Sequence, residues 1–252
     1  TVITINSIEV NSELNLGTSV GHDFNIINGS GRITVEGNDP GTGLELNFPA
    51  GTTNSSIGFG DAANGGILEI LSTGDLSFNE EFLNSNNRPL NNLRISRQNA
   101  ADKVIISADA RFNGNIEVNR GDLQINDNTN TIPLFIDVRS DVTVAATGSM
   151  SVGTANAYDG TLGDAYGEYH RSYNTLQVRG DFINLGSVRF TNQTQPDFND
   201  VTTTGAVSLV FNGATNNVFE CQGLTDLYNL VIDKGTDQTY ELELNASARN
   251  HF

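Results

Sequence analysis

The chain has 252 residues, 37% of them hydrophobic and 17% charged, with a net charge of −17 and only two lysines, Lys103 and Lys234, among thirteen basic residues. Such a surface repels phosphate backbones and anionic headgroups, which argues against nucleic acid and lipid-surface partners. Apolar residues come in pairs and triplets rather than runs of about 20, so no membrane insertion is expected; one cysteine and three histidines exclude an intrachain disulfide and a common zinc site.

The chain opens directly in alternation, Val2-Ile3-Thr4-Ile5, and stops at Phe252 without a polar tail, which reads as a piece of something longer. Ile8-Glu9-Val10 is the first apolar–polar–apolar triplet. Gly17-Thr18-Ser19-Val20-Gly21, with His22 after it, matches a nucleophile elbow, but the elbow needs a strand-to-helix turn. Asp23-Phe24-Asn25-Ile26 reads instead as another strand, so the match is taken as accidental. Ile33-Thr34-Val35 and Leu44-Glu45-Leu46 continue the pattern, and the best helical candidate, around Asn79 to Leu83, is too short and too Asn-flanked to count. Ile116-Glu117-Val118, Leu123-Gln124-Ile125, Val142-Thr143-Val144, Leu176-Gln177-Val178 and Val188-Arg189-Phe190 follow, each ending soon at Gly, Asn or Asp.

Short strands with constant turn punctuation predict an all-β fold. With 26 Gly against 5 Pro, the turns rely on left-handed backbone more than on proline corners. The residues expected to point inward are Leu93, Ile95, Val104, Ile106, Ile116, Val118, Leu123, Ile125, Leu176, Val178, Val188, Phe190, Leu230 and Ile232. Arg120-Gly121-Asp122 and Arg179-Gly180-Asp181 both spell an integrin-recognition tripeptide. Gly74-Asp75-Leu76 shows the same turn without arginine, so the tripeptides read as structural turns.

Ala157 to Asn174 breaks the alternation and reads as an inserted loop (157–174). It gathers Tyr158, Tyr166, Tyr169 and Tyr173, four of the six tyrosines, with Asp159, Asp164, Glu168, His170 and Arg171. Long loops on rigid scaffolds commonly carry binding function. Tyr158, Asp159, Asp164, Tyr166, Glu168, Tyr169, His170 and Tyr173 are therefore the candidate ligand-binding residues. Their rings could stack on sugars, and their carboxylates could hold calcium, the one cofactor the segment suggests. The competing reading is a self-packed loop whose tyrosines cover the fold.

The sequence also repeats. Leu90-Asn91-Asn92-Leu93-Arg94-Ile95 resembles Leu227-Tyr228-Asn229-Leu230-Val231-Ile232; Ala108–Arg111 resembles Ala246–Arg249; Gly66–Leu71 resembles Gly205–Val210. The near-constant offset predicts a unit of about 138 residues: the end of one unit at 1–64, a full unit at 65–204 and the start of a third at 205–252. Units that bury a core only against their neighbours imply stacking. The expected architecture is a right-handed parallel β-helix (a solenoid), about six coils per unit; tandem β-sandwich repeats are the alternative.

Phe211-Asn212-Gly213-Ala214-Thr215-Asn216-Asn217-Val218-Phe219, with Leu227 through Asp233 and Val178 through Val188, resembles a pattern recurring in giant surface adhesins of Bacteroidetes-type bacteria. The resemblance covers residues 170–240 well and the rest loosely, and its motifs are structural. It implies a secreted, cell-surface, structural or adhesive segment that is not an enzyme. The partners it implies are other parts of the same polypeptide, surface glycans, and secretion or anchoring machinery. The alternative function is a β-helix lyase or glycosidase, or a carbohydrate-binding module; two facing carboxylates would be needed for a glycosidase.

Overall fold

The computed structural model describes residues 3–19, 22–37, 46–47, 57–58, 66–78, 92–162, 169–192, 205–235 and 238–247. Its strands begin with β1 (Thr4–Glu9), β2 (Glu13–Asn15), β3 (His22–Asn28), β4 (Arg32–Val35), β5 (Leu46–Asn47), β6 (Ile57–Gly58), β7 (Ile67–Ile70) and β8 (Leu76–Phe78). The middle of the chain holds β9 (Asn92–Ser96), β10 (Lys103–Ile106), β11 (Ala110–Phe112), β12 (Ile116–Ile125), β13 (Phe135–Val138) and β14 (Val142–Val152). The last are β15 (Asn174–Val178), β16 (Phe182–Asn184), β17 (Ser187–Arg189), β18 (Val207–Asn212), β19 (Asn217–Cys221), β20 (Leu224–Asp226), β21 (Asn229–Asp233) and β22 (Leu242–Ala246). Among the described residues the only helical element is a 3-10 turn, Tyr169–Ser172, and none is long and apolar enough to cross a membrane. The fold is all-β.

The described strands form three sheets. β1, β3 and β5 make one, with β6 beside β3; a thirteen-stranded sheet runs β2-β4-β7-β9-β12-β14-β16-β19-β22 and carries β8, β10, β17 and β20 alongside; a five-stranded sheet runs β11-β13-β15-β18-β21. Every pairing between the described strands is parallel. Among the described residues antiparallel contact is confined to two isolated bridges, Tyr158 with Tyr173 and Thr191 with Ala206. The tandem-sandwich alternative called for antiparallel sheets, which the described strands do not form. From β11 onward the chain visits the five-stranded and thirteen-stranded sheets in turn, because parallel neighbours cannot be joined by a hairpin.

The main core lies between the five-stranded and thirteen-stranded sheets. Leu93, Ile116, Val142, Phe182 and Phe219 are successive rungs of one ladder, and Phe112, Val138, Val178 and Phe211 are rungs of the facing one. All nine are buried within the same cluster. Phe211 and Phe219 meet at 5.4 Å between ring centres and so tie the two sheets together. Each such side chain contributes about 1.5–3 kcal/mol on leaving water.

Twelve of the fourteen residues expected to point inward are buried. Leu230 is half-buried and Ile232 is 58% exposed. Both lie on β21, which pairs with β18 on one side and has no described strand on the other, so no described rung covers them.

The similar sequence blocks do not fall on equivalent strands. Asn92–Ser96 lies in the thirteen-stranded sheet, whereas its counterpart β21 lies in the five-stranded one; β7 and β18 are divided in the same way. The sheets run unbroken past residues 65 and 205, where β4 pairs with β7 and β15 with β18.

Candidate functional site

The tyrosine-rich segment lies between β14 and β15. Asp137 faces Arg111 across 26 residues of chain but faces Gln177 across 40, so this crossing carries the extra length. The segment folds on itself at its neck. Asp159 donates its backbone N–H to the Ser172 carbonyl at 2.9 Å, and its Oδ1 accepts from the Thr161 N–H and hydroxyl at 2.9 and 2.7 Å. Those bonds favour the charged form and hold the Asp159 carboxyl below its ordinary range.

Tyr158 and Tyr173 bracket the segment and pack together, with ring centres 5.2 Å apart. Tyr173 in turn meets Tyr228 at 5.1 Å. These rings and Ala206 form a second apolar cluster, in which Tyr173 is 5% exposed and Tyr158 half-buried. Burial is the main cause that pushes the Tyr173 phenol well above its ordinary pKa, with the hydrogen bond to Tyr228 adding to it. Tyr173 is thus packed by a ring on either side, while Tyr158 keeps part of its surface open. Tyr169 and His170 stand in the 3-10 turn, and Asp164, Tyr166 and Glu168 lie outside the described residues.

Behind the neck is a cavity of about 390 Å³, between the segment and the outer face of the five-stranded sheet. Pro133, Leu134, Phe135, Asp109 and Thr175 form its sheet side; Thr161, Leu162 and Arg171 close it from the segment. The Arg171 guanidinium lies 5.8 Å from the centre of the Phe135 ring, within cation–π range. Asp109, the one carboxylate among the described lining residues, accepts the Phe135 N–H at 2.8 Å.

Along the same sheet face the cavity gives way to an arginine cluster. Asp137 is 2% exposed and is approached by Arg111 Nε at 3.2 Å, Arg139 Nε at 3.6 Å and Arg179 Nη2 at 3.2 Å; Gln177 Nε2 adds a bond at 3.1 Å. A lone buried carboxylate would be costly, and these partners compensate it.

Of the sequence candidates, the structure brings Tyr158 and Tyr173 into contact and leaves Asp159 a short way off in its own turn. Sequence reasoning missed Asp109, Phe135 and the Arg111–Asp137–Arg179 row. The signal was present, since Ala110-Arg111-Phe112, Ile136-Asp137-Val138-Arg139 and Leu176-Gln177-Val178-Arg179 each place polar residues outward. Only the register shows that they meet.

The two tripeptides serve the fold. Asp122 is buried and accepts from the Ser149 and Ser151 hydroxyls at 3.0 and 2.5 Å; Asp181 accepts the Val218 N–H at 2.9 Å. After Gly17 comes strand β3 and no helix, while Val20 and Gly21 of the elbow-like motif lie outside the described residues. Among the described residues no three His, Cys, Asp or Glu side chains gather to hold a metal. No protein-family model, curated protein or solved structure matches the chain.

Proposed function

We propose that the chain is a right-handed parallel β-helix serving as a structural and adhesive segment of a large secreted bacterial cell-surface protein. The observation that carries this reading is the uniform parallel pairing along sheets visited in alternation, over a single apolar interior. A chain that winds steadily in one sense produces such pairing, and parallel crossovers are right-handed in about 98% of cases. Each rung buries its inner face only against its neighbours, so the stack lengthens by repetition, as suits a spacer that carries contact sites away from a cell. The acidic surface suits solubility, the resemblance to giant surface adhesins supplies the location, and the cavity beside the tyrosine segment supplies a place for contact.

Small-angle scattering and a polysaccharide panel test this reading together. An elongated particle and retention on at least one glycan-coated surface, without new reducing ends or unsaturated products, are expected. A compact particle would overturn the solenoid. Robust product formation lost in His170→Ala or Asp109→Asn would replace the adhesive reading with an enzymatic one.

A further inference from the structure

We infer that the outer face of the five-stranded sheet, from Phe135 to Arg139 and Arg179, binds a carboxylated sugar of a surface glycan; this rests on the adhesive reading and names its ligand class. Alternate residues of a strand share one face. Ile136 and Val138 are in the core, so Phe135, Asp137 and Arg139 look outward on β13 and just past its end, as do Thr175 and Gln177 on β15 and Arg179 just past it. The cavity at Phe135 and the arginines are therefore one continuous surface, about 13 Å long at roughly 3.3 Å per residue.

Charge makes the class specific. Three guanidiniums surround one buried carboxylate, which leaves two positive charges over within the cluster. This occurs in a chain with a net charge of −17 that has only thirteen basic residues. Arg139 and Arg179 keep 41% and 40% of their side-chain surface open to solvent while Asp137 anchors them. A fork held in place loses less freedom on binding, and its planar donors match a carboxylate. Arg171 over Phe135 then gives an aromatic-and-cation wall for a sugar ring beside the anionic group. A long polyanion meets the acidic remainder of the surface, whereas one carboxylated unit sits within about a Debye length, near 8 Å, of the arginines and is shielded from that remainder.

Titration calorimetry at physiological salt tests the assignment with trigalacturonate and sialyllactose, each against a neutral counterpart, the methyl ester of the first and lactose for the second. At least one acidic probe binds, and its neutral counterpart binds at least tenfold more weakly. Arg139→Gln with Arg179→Gln also weakens binding at least tenfold. Arg139→Gln alone, whose contact with Asp137 is the longest of the three, gives a smaller loss and keeps the test valid if the double variant melts early. Equal binding of the neutral counterpart, unchanged binding in a folded double variant, displacement by inorganic sulfate at equal concentration, or no binding of either acidic probe would each overturn the site. Retention of chain-coated beads on neutral glycans, with neither acidic probe bound, removes this site and leaves the adhesive reading standing. Beads that hold to no glycan surface remove the adhesive reading itself.

Discussion

Asn126 donates from its side-chain amide to the Asn174 Oδ1 at 2.9 Å, both side chains being buried. The same Asn174 oxygen accepts the Leu134 N–H at 3.0 Å, and its Nδ2 donates to the Ala206 carbonyl at 3.0 Å. Asn126 further donates to the carbonyls of Asn130 and Ile132, from a left-handed backbone with φ of 63°. The two amides thus satisfy the corner where the chain passes from the thirteen-stranded sheet to the five-stranded one. Asn174→Ala strands two buried partners at once, the Leu134 N–H and the Ala206 carbonyl, whereas the Asn126 amide keeps its two carbonyl acceptors. Each unsatisfied group costs about 1–3 kcal/mol, so a loss of at least about 2 kcal/mol is expected in equilibrium urea unfolding. A loss under 1 kcal/mol would show that water substitutes at this corner.

Arg120-Gly121-Asp122 is tested as a structural element in the same way. Gly121 has φ of +105°, and a Cβ there would come within 2.4 Å of the Arg97 Cγ. Gly121→Ala is expected to lower stability by about 1–3 kcal/mol, the scale of backbone strain at such a position. Asp122→Ala should lower the melting temperature too, since Ser151 loses its acceptor and Ser149 keeps only the longer bond to the Gly121 carbonyl. Soluble competitor tripeptide should leave cell attachment to the intact chain unchanged. Attachment abolished by the competitor would show that the buried Asp122 or the half-buried Asp181 becomes available.

Phe211 and Ile232 are consecutive rungs of one ladder, yet Phe211 is fully buried and Ile232 is 58% exposed. Phe211→Ala is expected to cost about 3–5 kcal/mol, whereas Ile232→Thr should stay within about 0.5 kcal/mol. Equal losses in thermal unfolding would mean that Ile232 is covered in solution.

That pair also marks where the sequence stops being informative. Alternation identifies which face of a strand is apolar, because the side-chain period is two residues whatever the neighbours are, and so twelve inward residues were legible. It does not identify which strand lies on top, and Leu230 and Ile232 depended on that. The repeat carried the same ambiguity. Apolar–polar–apolar triplets closed by Asn or Gly meet the needs of any sheet here, so Asn92–Ser96 and Asn229–Asp233 resemble each other while belonging to different sheets. At the candidate site, tyrosine density located the inserted segment but not its cavity. Phe135, Asp109 and the arginines come from three other stretches of chain, joined only by parallel register.

Tyr173 should separate the neck of the inserted segment from its tip. Its ring is held between Tyr158 and Tyr228, so Tyr173→Ala is expected to cost about 3 kcal/mol or more, as for a large aromatic taken from a core. Removing Gly160 through Arg171 behind two glycines keeps both bracketing rings and shortens a loop, whose closure entropy changes only slowly with length; stability should shift by no more than about 1 kcal/mol. The phenol supplies an independent readout. Its folded pKa is raised above the unfolded value of about 10, so the folded state holds its proton more tightly. The resulting stabilisation is complete below about pH 10 and declines as the pH rises above it, when the unfolded chain ionises first. Tyr173→Phe should remove that part of the alkaline decline while leaving neutral-pH stability within about 1.5 kcal/mol, the worth of one hydrogen bond. Identical alkaline melting curves for the parent and the phenylalanine variant would show that Tyr173 is not buried in solution, and with it that the neck is open.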